Sequence, residues 1–366
     1  MKELCSRATA VIVCLLLLGA CGQVDETSIG DSPLGAASPQ SAANDAASSV
    51  SAVGNASSGT GLTAWGHPDL QGVYTFATNT PLERPAELAG KASYTAEELA
   101  ELEAAAAARR RADVHAPAPG SLGSAYNSFW TESESGRLLA RTSLITDPPD
   151  GRLPPLTENG QSILDAWEAD MAARQYGEEP FVKTAYRTWL DLPAYERCVA
   201  RPMPRVWQAY NHGAQILQTP DHVVIHYESM HDARIIPLDG RPPLNDAIRF
   251  WNGDARGHWE GDTLVIESSN FTGKQWMDGG RSGGPLQFPQ ENMRYTEKFR
   301  RLDADTLSYE VTVEDDSIWT RPWTFEMPWV ADDPNYELPE HLYEFACHEG
   351  NYRAIENTLR GSQDFQ

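Results

Sequence analysis

From residue 215 onward the chain is divided into short apolar-rich segments by tight turn signals, and this limits the fold more than any other feature. The segments are Gln215–Gln218, Val223–Ser229, Ala233–Leu238, Ile248–Asn252, Gly257–Glu260, Thr263–Ser268, Tyr295–Leu302, Thr306–Val313, Trp323–Pro328 and Leu342–Cys347. They are too short for stable helices and rich in β-branched and aromatic residues, which suit a pleated surface. Asp239-Gly240, Glu260-Gly261-Asp262 and Asp303-Ala304-Asp305 supply turn chemistry between them. Sequential strands joined this way predict a mainly β fold, an antiparallel meander closing into a barrel or a strongly curved sheet.

The N-terminal part of the folded region is more mixed. Pro68-Asp69-Leu70-Gln71-Gly72-Val73-Tyr74 reads as a turn into a first strand, and Pro81 and Pro85 hold the next segment extended. Thr95-Ala96-Glu97-Glu98 is a capping box that opens a helix to about Ala112. Its alanine run has little to bury, so it belongs on the surface. Arg141–Ile145 reads as a strand. Thr157 caps a second helix, over about 158–175, with Ile163, Leu164, Trp167 and Met171 at helical spacing. Residues 64–366 therefore predict one β-rich domain with peripheral helical insertions near 95–112 and 158–175.

What precedes that domain concerns location. Lys2 and Arg7 lead into the apolar run Ala10–Leu18, which is too short to span a bilayer as a mature helix. Leu18-Gly19-Ala20-Cys21 then reads as a lipoprotein cleavage site, so residues 1–20 are expected to leave and Cys21 to carry the acyl chains. Gly22 after the cysteine fits an outer-membrane destination, facing the periplasm or the exterior. Residues 21–63 are rich in Ser, Ala, Gly and Asn, and read as a disordered tether. The net charge of −23 repels phosphate backbones, so nucleic-acid binding is not expected. Cys5 and Cys14 leave with the signal, and Cys198 and Cys347 are the two thiols left in an exported chain. They are expected to pair, closing a loop of about 150 residues.

Several blocks of this sequence resemble a large group of uncharacterised exported proteins and lipoproteins of environmental bacteria. They are Thr80–Pro85, His231–Arg241, Gly257–Val265, Trp319–Thr324 and Tyr343–Tyr352. The resemblance covers nearly all of residues 65–360. It implies export and a common fold, and carries no activity. The run of hairpins is also similar, as architecture only, to lipocalin-like (calycin) barrels, which licenses no function.

Candidate chemistry gathers in a few clusters. His226-Tyr227-Glu228-Ser229-Met230-His231 is the densest, and strand alternation would put His226 and Glu228 on one face. Its spacing is not that of a zinc-protease helix, and no third ligand is evident, so no metal is expected. Asp254, Arg256 and His258 lie between Trp251 and Trp259, where Asp254 and Arg256 suit a turn ion pair. His348, Glu349 and Asn351 follow Cys347, so a bridge to Cys198 would fix them beside Glu196-Arg197. Most of the 11 Trp belong to a barrel core, but Trp276 lies in a glycine-rich loop suited to a lid. No phosphate loop, Gly-x-Ser-x-Gly elbow or Cys-x-x-Cys occurs, so no cofactor is expected.

The reading these features favour is a lipid-anchored envelope protein whose barrel-like domain binds a small organic ligand. Glu228, His231 and His348 would meet at one end of the barrel, with Trp276, Trp251, His226 and Arg256 lining the ligand. One alternative is a periplasmic lyase, isomerase or hydrolase using His and Glu as acid and base on a small apolar or ring-shaped substrate. A second is a structural envelope protein. The oligomeric state is not legible.

Overall fold

The computed structural model describes residues 61–112, 137–173, 194, 195, 197–206, 211–277, 286, 288–331, 342–347 and 349. The signal segment, Cys21, the tether up to residue 60, Trp207, Gly279-Gly280, Gly283-Gly284 and His348 lie outside them. In chain order the elements are β1 (Gly72–Thr75), α1 (Ala96–Ala112), β2 (Ile145–Asp147), α2 (Glu158–Ala173), β3 (Gly213–Gln218), β4 (His222–Tyr227), β5 (Ala233–Pro237), β6 (Asp254–Glu260), β7 (Thr263–Ser269), β8 (Arg294–Arg301), β9 (Thr306–Glu314) and β10 (Trp323–Val330).

The strands form one antiparallel, curved sheet in the order β5-β4-β3-β1-β10-β9-β8-β7-β6, with β2 attached to β10. Directions alternate along this path of nine, so the edge strands β5 and β6 run the same way. Curvature brings them together without a ladder. Gly257 on β6 lies so close to β5 that a Cβ there would press on Ile236 and Leu238. The sheet is thus strongly curved and stays open between its edges, within the predicted mainly β class.

Two predicted strands are absent, and a third, Arg141–Ile145, overlaps the observed β2 only at Ile145. Ile248–Asn252 contributes only an isolated bridge, Phe250 to Phe271. Ile248 and Phe250 are 47% and 41% exposed, so this segment has no face to bury. Leu342–Cys347 forms no ladder: Phe345 N–H donates to the His231 side chain at Nε2, and Cys347 N donates within the segment to the Phe345 carbonyl. Both helices start where their caps indicate. Thr95 N donates to Glu98 Oε2 (2.8 Å) and Glu98 N to Thr95 Oγ1 (3.2 Å), the reciprocal capping box of α1. Gly160 N donates to Thr157 Oγ1 at the start of α2 (3.0 Å), whose Ile163 and Leu164 pack on the core.

The concave side is filled with rings. Trp329 is fully buried, with ring centroids of Phe76 at 5.2 Å, Phe299 at 5.0 Å, Tyr309 at 5.3 Å and Tyr227 at 6.1 Å. Trp319 and Trp323 are also buried, as expected of barrel-core tryptophans. The two ends of this core differ. One carries the short turns 219–221, 261–262 and 302–305. The other carries the 228–232 turn and the longer 270–293 and 315–322 connections, with 197–206 and 342–347 laid against it.

Candidate functional site

The site begins where β4 stops. Val223, Ile225 and Tyr227 point into the core, and His222, Val224 and His226 lie half-buried on the other face. The strand ends at Tyr227, and Glu228 adopts helical angles (φ −57°, ψ −50°). Alternation therefore breaks, and Glu228 is buried at 3% exposure rather than sharing the half-buried face of His226. Met230 and His231 follow with φ of 67° and 50°. Non-glycine residues held there cost about 1–3 kcal/mol each, so the surroundings must impose the turn.

Those surroundings come from distant parts of the chain. Asn211 Nδ2 donates to Glu228 Oε1 (2.6 Å), and Glu228 N donates to the Gly213 carbonyl (2.9 Å). The backbone at Gly213 lies so close that a Cβ there would press on Glu228 Oε2 and on the Leu342 side chain and displace them. His231 Nε2 accepts from Phe345 N–H (3.1 Å), so the neutral ring carries its proton on Nδ1. Burial, and then the neighbouring His231, pushes the His226 imidazole below its ordinary pKa. Cys198 and Cys347 are joined by a disulfide, Cα to Cα 5.8 Å, across a sequence separation of 149. The bridge ties the 342–347 segment to the residues that precede β3. Arg197 lies over the Trp251 ring at 5.8 Å, bringing that tryptophan to the same end.

The other sequence candidates have separate places. Arg256 Nη1 donates to Asp254 Oδ1 (2.5 Å) and Nε to the Pro242 carbonyl (3.2 Å), while Asp254 Oδ2 accepts from Leu244 N (2.7 Å). This ion pair pins the 242–244 segment. His258 Nε2 is 3.2 Å from Glu260 on an exposed face. Trp276 sits at the root of the glycine-rich loop, where it bridges to Pro289 and Met277 N donates to the Phe288 carbonyl (2.8 Å). Gln290 Nε2 from this root donates to the Met203 carbonyl, so the loop root also packs on the 197–206 segment. Among the described residues no three His, Cys, Asp or Glu side chains are grouped to hold a metal ion.

The structure adds residues that sequence reasoning passed over. Arg234 on β5 reaches across the interior to β8, where Nη1 and Nη2 donate to Glu297 Oε1 (2.8 Å) and Oε2 (2.5 Å). Nη2 also donates to Ser268 Oγ on β7 (2.9 Å), and Tyr309 OH on β9 donates to Glu297 Oε1 (2.7 Å). This buried network joins the β5 edge to the far side of the sheet by side chains. The Glu297 carboxylate holds Arg234 charged despite its burial, which alone would lower its pKa. Nearer the loop end Arg205 pairs with Asp232, and its guanidinium stacks over the Tyr227 ring at 4.8 Å. A faint signal was present. Arg234 is in phase with the core residue Ile236, and Glu297 with Tyr295 and Phe299, so two opposite charges occupy core positions.

An open cleft of about 700 Å³ lies between the loop-end tips of β7, β8 and β9, lined by Arg249, Glu291, Arg294, Glu314, Asp315 and Arg321 among others. None of the candidate site residues named from the sequence lines it, although Trp319–Pro322 of one resemblance block do.

Comparison with known proteins adds little. No family model matches the chain, and no curated protein matches it. The chain is similar to a solved "secretary abundant heat soluble (SAHS)" protein from Ramazzottius varieornatus, at 11% identity and a TM-score of 0.23 over 38% of this chain and 87% of that one. Likeness at that level carries no argument about fold or activity.

Proposed function

We propose that this protein is a lipid-anchored component of the cell envelope, held through Cys21 at the outer membrane, whose curved β domain binds a small organic ligand at its loop end. The observation that carries the reading is the joint between Glu228 and the 342–347 segment. A buried carboxylate is held by Asn211, and the Leu342 side chain and Gly213 close around it. His231 beside it is tied to the same segment. Buried carboxylates are costly unless the fold uses them, and convergent polar groups of this kind orient ligands. His348, which follows Cys347 directly, is assigned to this group on its sequence position alone. The filled aromatic interior favours a ligand at the mouth rather than within the sheet.

Native mass spectrometry of the full chain purified in detergent is the test. A small molecule should co-purify with the wild type and be lost from Glu228→Gln and His231→Ala at unchanged melting temperature. A ligand retained equally by both variants would overturn this site.

A further inference from the structure

We infer that the loop end also encloses a small anion-binding site, built on Arg205 and suited to a single carboxylate group. Arg205 is buried at 3% exposure, and its side chain is one of the most enclosed cations in the protein. Its Nη2 is engaged by Asp232, but Nε and Nη1 are buried without a hydrogen-bond partner among the described residues. One face of the guanidinium is covered by the Tyr227 ring, so these N–H groups point outward in its plane. The Tyr227 hydroxyl itself faces the Arg234 side chain, which hydrogen-bonds it and so leaves it no part in holding a ligand. Ser229 Oγ, two residues beyond Tyr227, is buried without a hydrogen-bond partner among the described residues.

Buried polar atoms are almost always satisfied, so the two free nitrogens of Arg205 call for an occupant. Arg205 Nε and Nη1 together carry three N–H bonds, and a guanidinium only donates. One water accepts at most two of them. A carboxylate offers about four lone-pair sites and matches the charge. Arg201 stands close enough to Arg205 to disfavour its charge, a repulsion that a bound anion would relieve. Asp232 already balances one cation, so a monoanion fits better than a dianion. The inference does not depend on the organic-ligand reading, although the acid group of such a ligand could be the occupant.

Titration calorimetry of the full chain with sodium acetate, against acetamide at matched ionic strength, tests it. Acetate should bind saturably and acetamide should not. Arg205→Lys, which keeps the charge and removes the fork, should weaken acetate by about tenfold or more. Asp232→Asn, which removes the competing carboxylate and should tighten acetate binding, serves if the arginine variant fails to fold. A crystal soaked in bromide should show an anomalous peak beside Arg205 Nε or Nη1. Benzoate binding more tightly than acetate would identify the anion as the head group of a larger ligand, and acetate alone would indicate a free ion. Equal binding of acetate and acetamide, acetate affinity unchanged in both variants, or water only beside Arg205 in the bromide crystal would each overturn the inference.

Discussion

Two arginines show how the ends of this sheet differ. Arg301 at the hairpin end uses every nitrogen: Nε donates to the Asp69 carbonyl (2.8 Å), Nη1 to Ala304 (2.8 Å) and Nη2 to Tyr74 OH (2.9 Å). Gln218 completes that end, accepting from Leu70 N (2.6 Å) and donating to the Pro68 carbonyl (3.0 Å). Among the described residues Arg205 at the loop end has one hydrogen-bond partner, Asp232. The hairpin end is closed by short turns whose backbone bonds are local. The loop end is assembled from 197–206, 211–213, 228–232 and 342–347, which only the tertiary fold and a disulfide bring together. One end is built to be finished, and the other keeps polar groups in reserve, as binding sites do.

The largest expected effect tests whether the Arg234–Glu297 network belongs to either end. Glu297→Ala should destabilise the domain by about 3–5 kcal/mol, because it leaves a buried guanidinium without its carboxylate. Denaturant unfolding should show both ends melting in one transition. Separate transitions would mean that the ends are independent units. The combination Arg234→Met with Glu297→Leu should recover much of the loss.

Removing the bridge sharpens the contrast. Cys198→Ser with Cys347→Ser should cost about 2–5 kcal/mol, the range for long closed loops. Hydrogen exchange should rise first at 228–232 and 342–347, while the hairpin turns keep their protection. Equal deprotection at both ends would break the comparison.

A smaller change at the opposite end provides the control. Arg301→Ala should lower stability by about 1–3 kcal/mol through lost hydrogen bonds to the 68–71 and 302–305 segments. Acetate and ligand binding should be unchanged, and any loss of either would couple the two ends.

The smallest effect is in pH. The folded pKa of His226 lies below its ordinary value of 6.5, so the unfolded chain takes up that proton first. This contribution to stability is present above pH 6.5 and is lost as pH falls through the folded pKa. His226→Asn should flatten that part of the stability profile. An unchanged profile would remove His226 from the account.

Much of the scaffold was legible because its causes are local. Thr95 and Glu98 sit at capping-box spacing, and Thr157 precedes a helical stripe. Strand segments such as Thr263–Ser268 and Thr306–Val313 match β7 and β9 to within a residue. The site was legible only in part. Glu228 and His231 were recognisable as polar residues at a strand end, and the disulfide followed from compartment and count. That Glu228 turns inward was not legible, because period-two reasoning assumes that the strand continues. The 248–252 segment misled for a related reason: apolar residues indicate a strand only where a partner strand stands ready.

The sequence by itself determined the class of this fold, through segment length, turn residues and caps, each a matter of a few neighbouring residues. Only the tertiary structure decided that β1 inserts between β3 and β10, that β5 meets β6 without a ladder, and that Arg234 finds Glu297 63 residues away. It also decided that Arg205 is buried with donors to spare. The physical reason is common to all four. Local propensity is set by the backbone and its nearest side chains, whereas partnership across a curved sheet is set by where the chain returns in space.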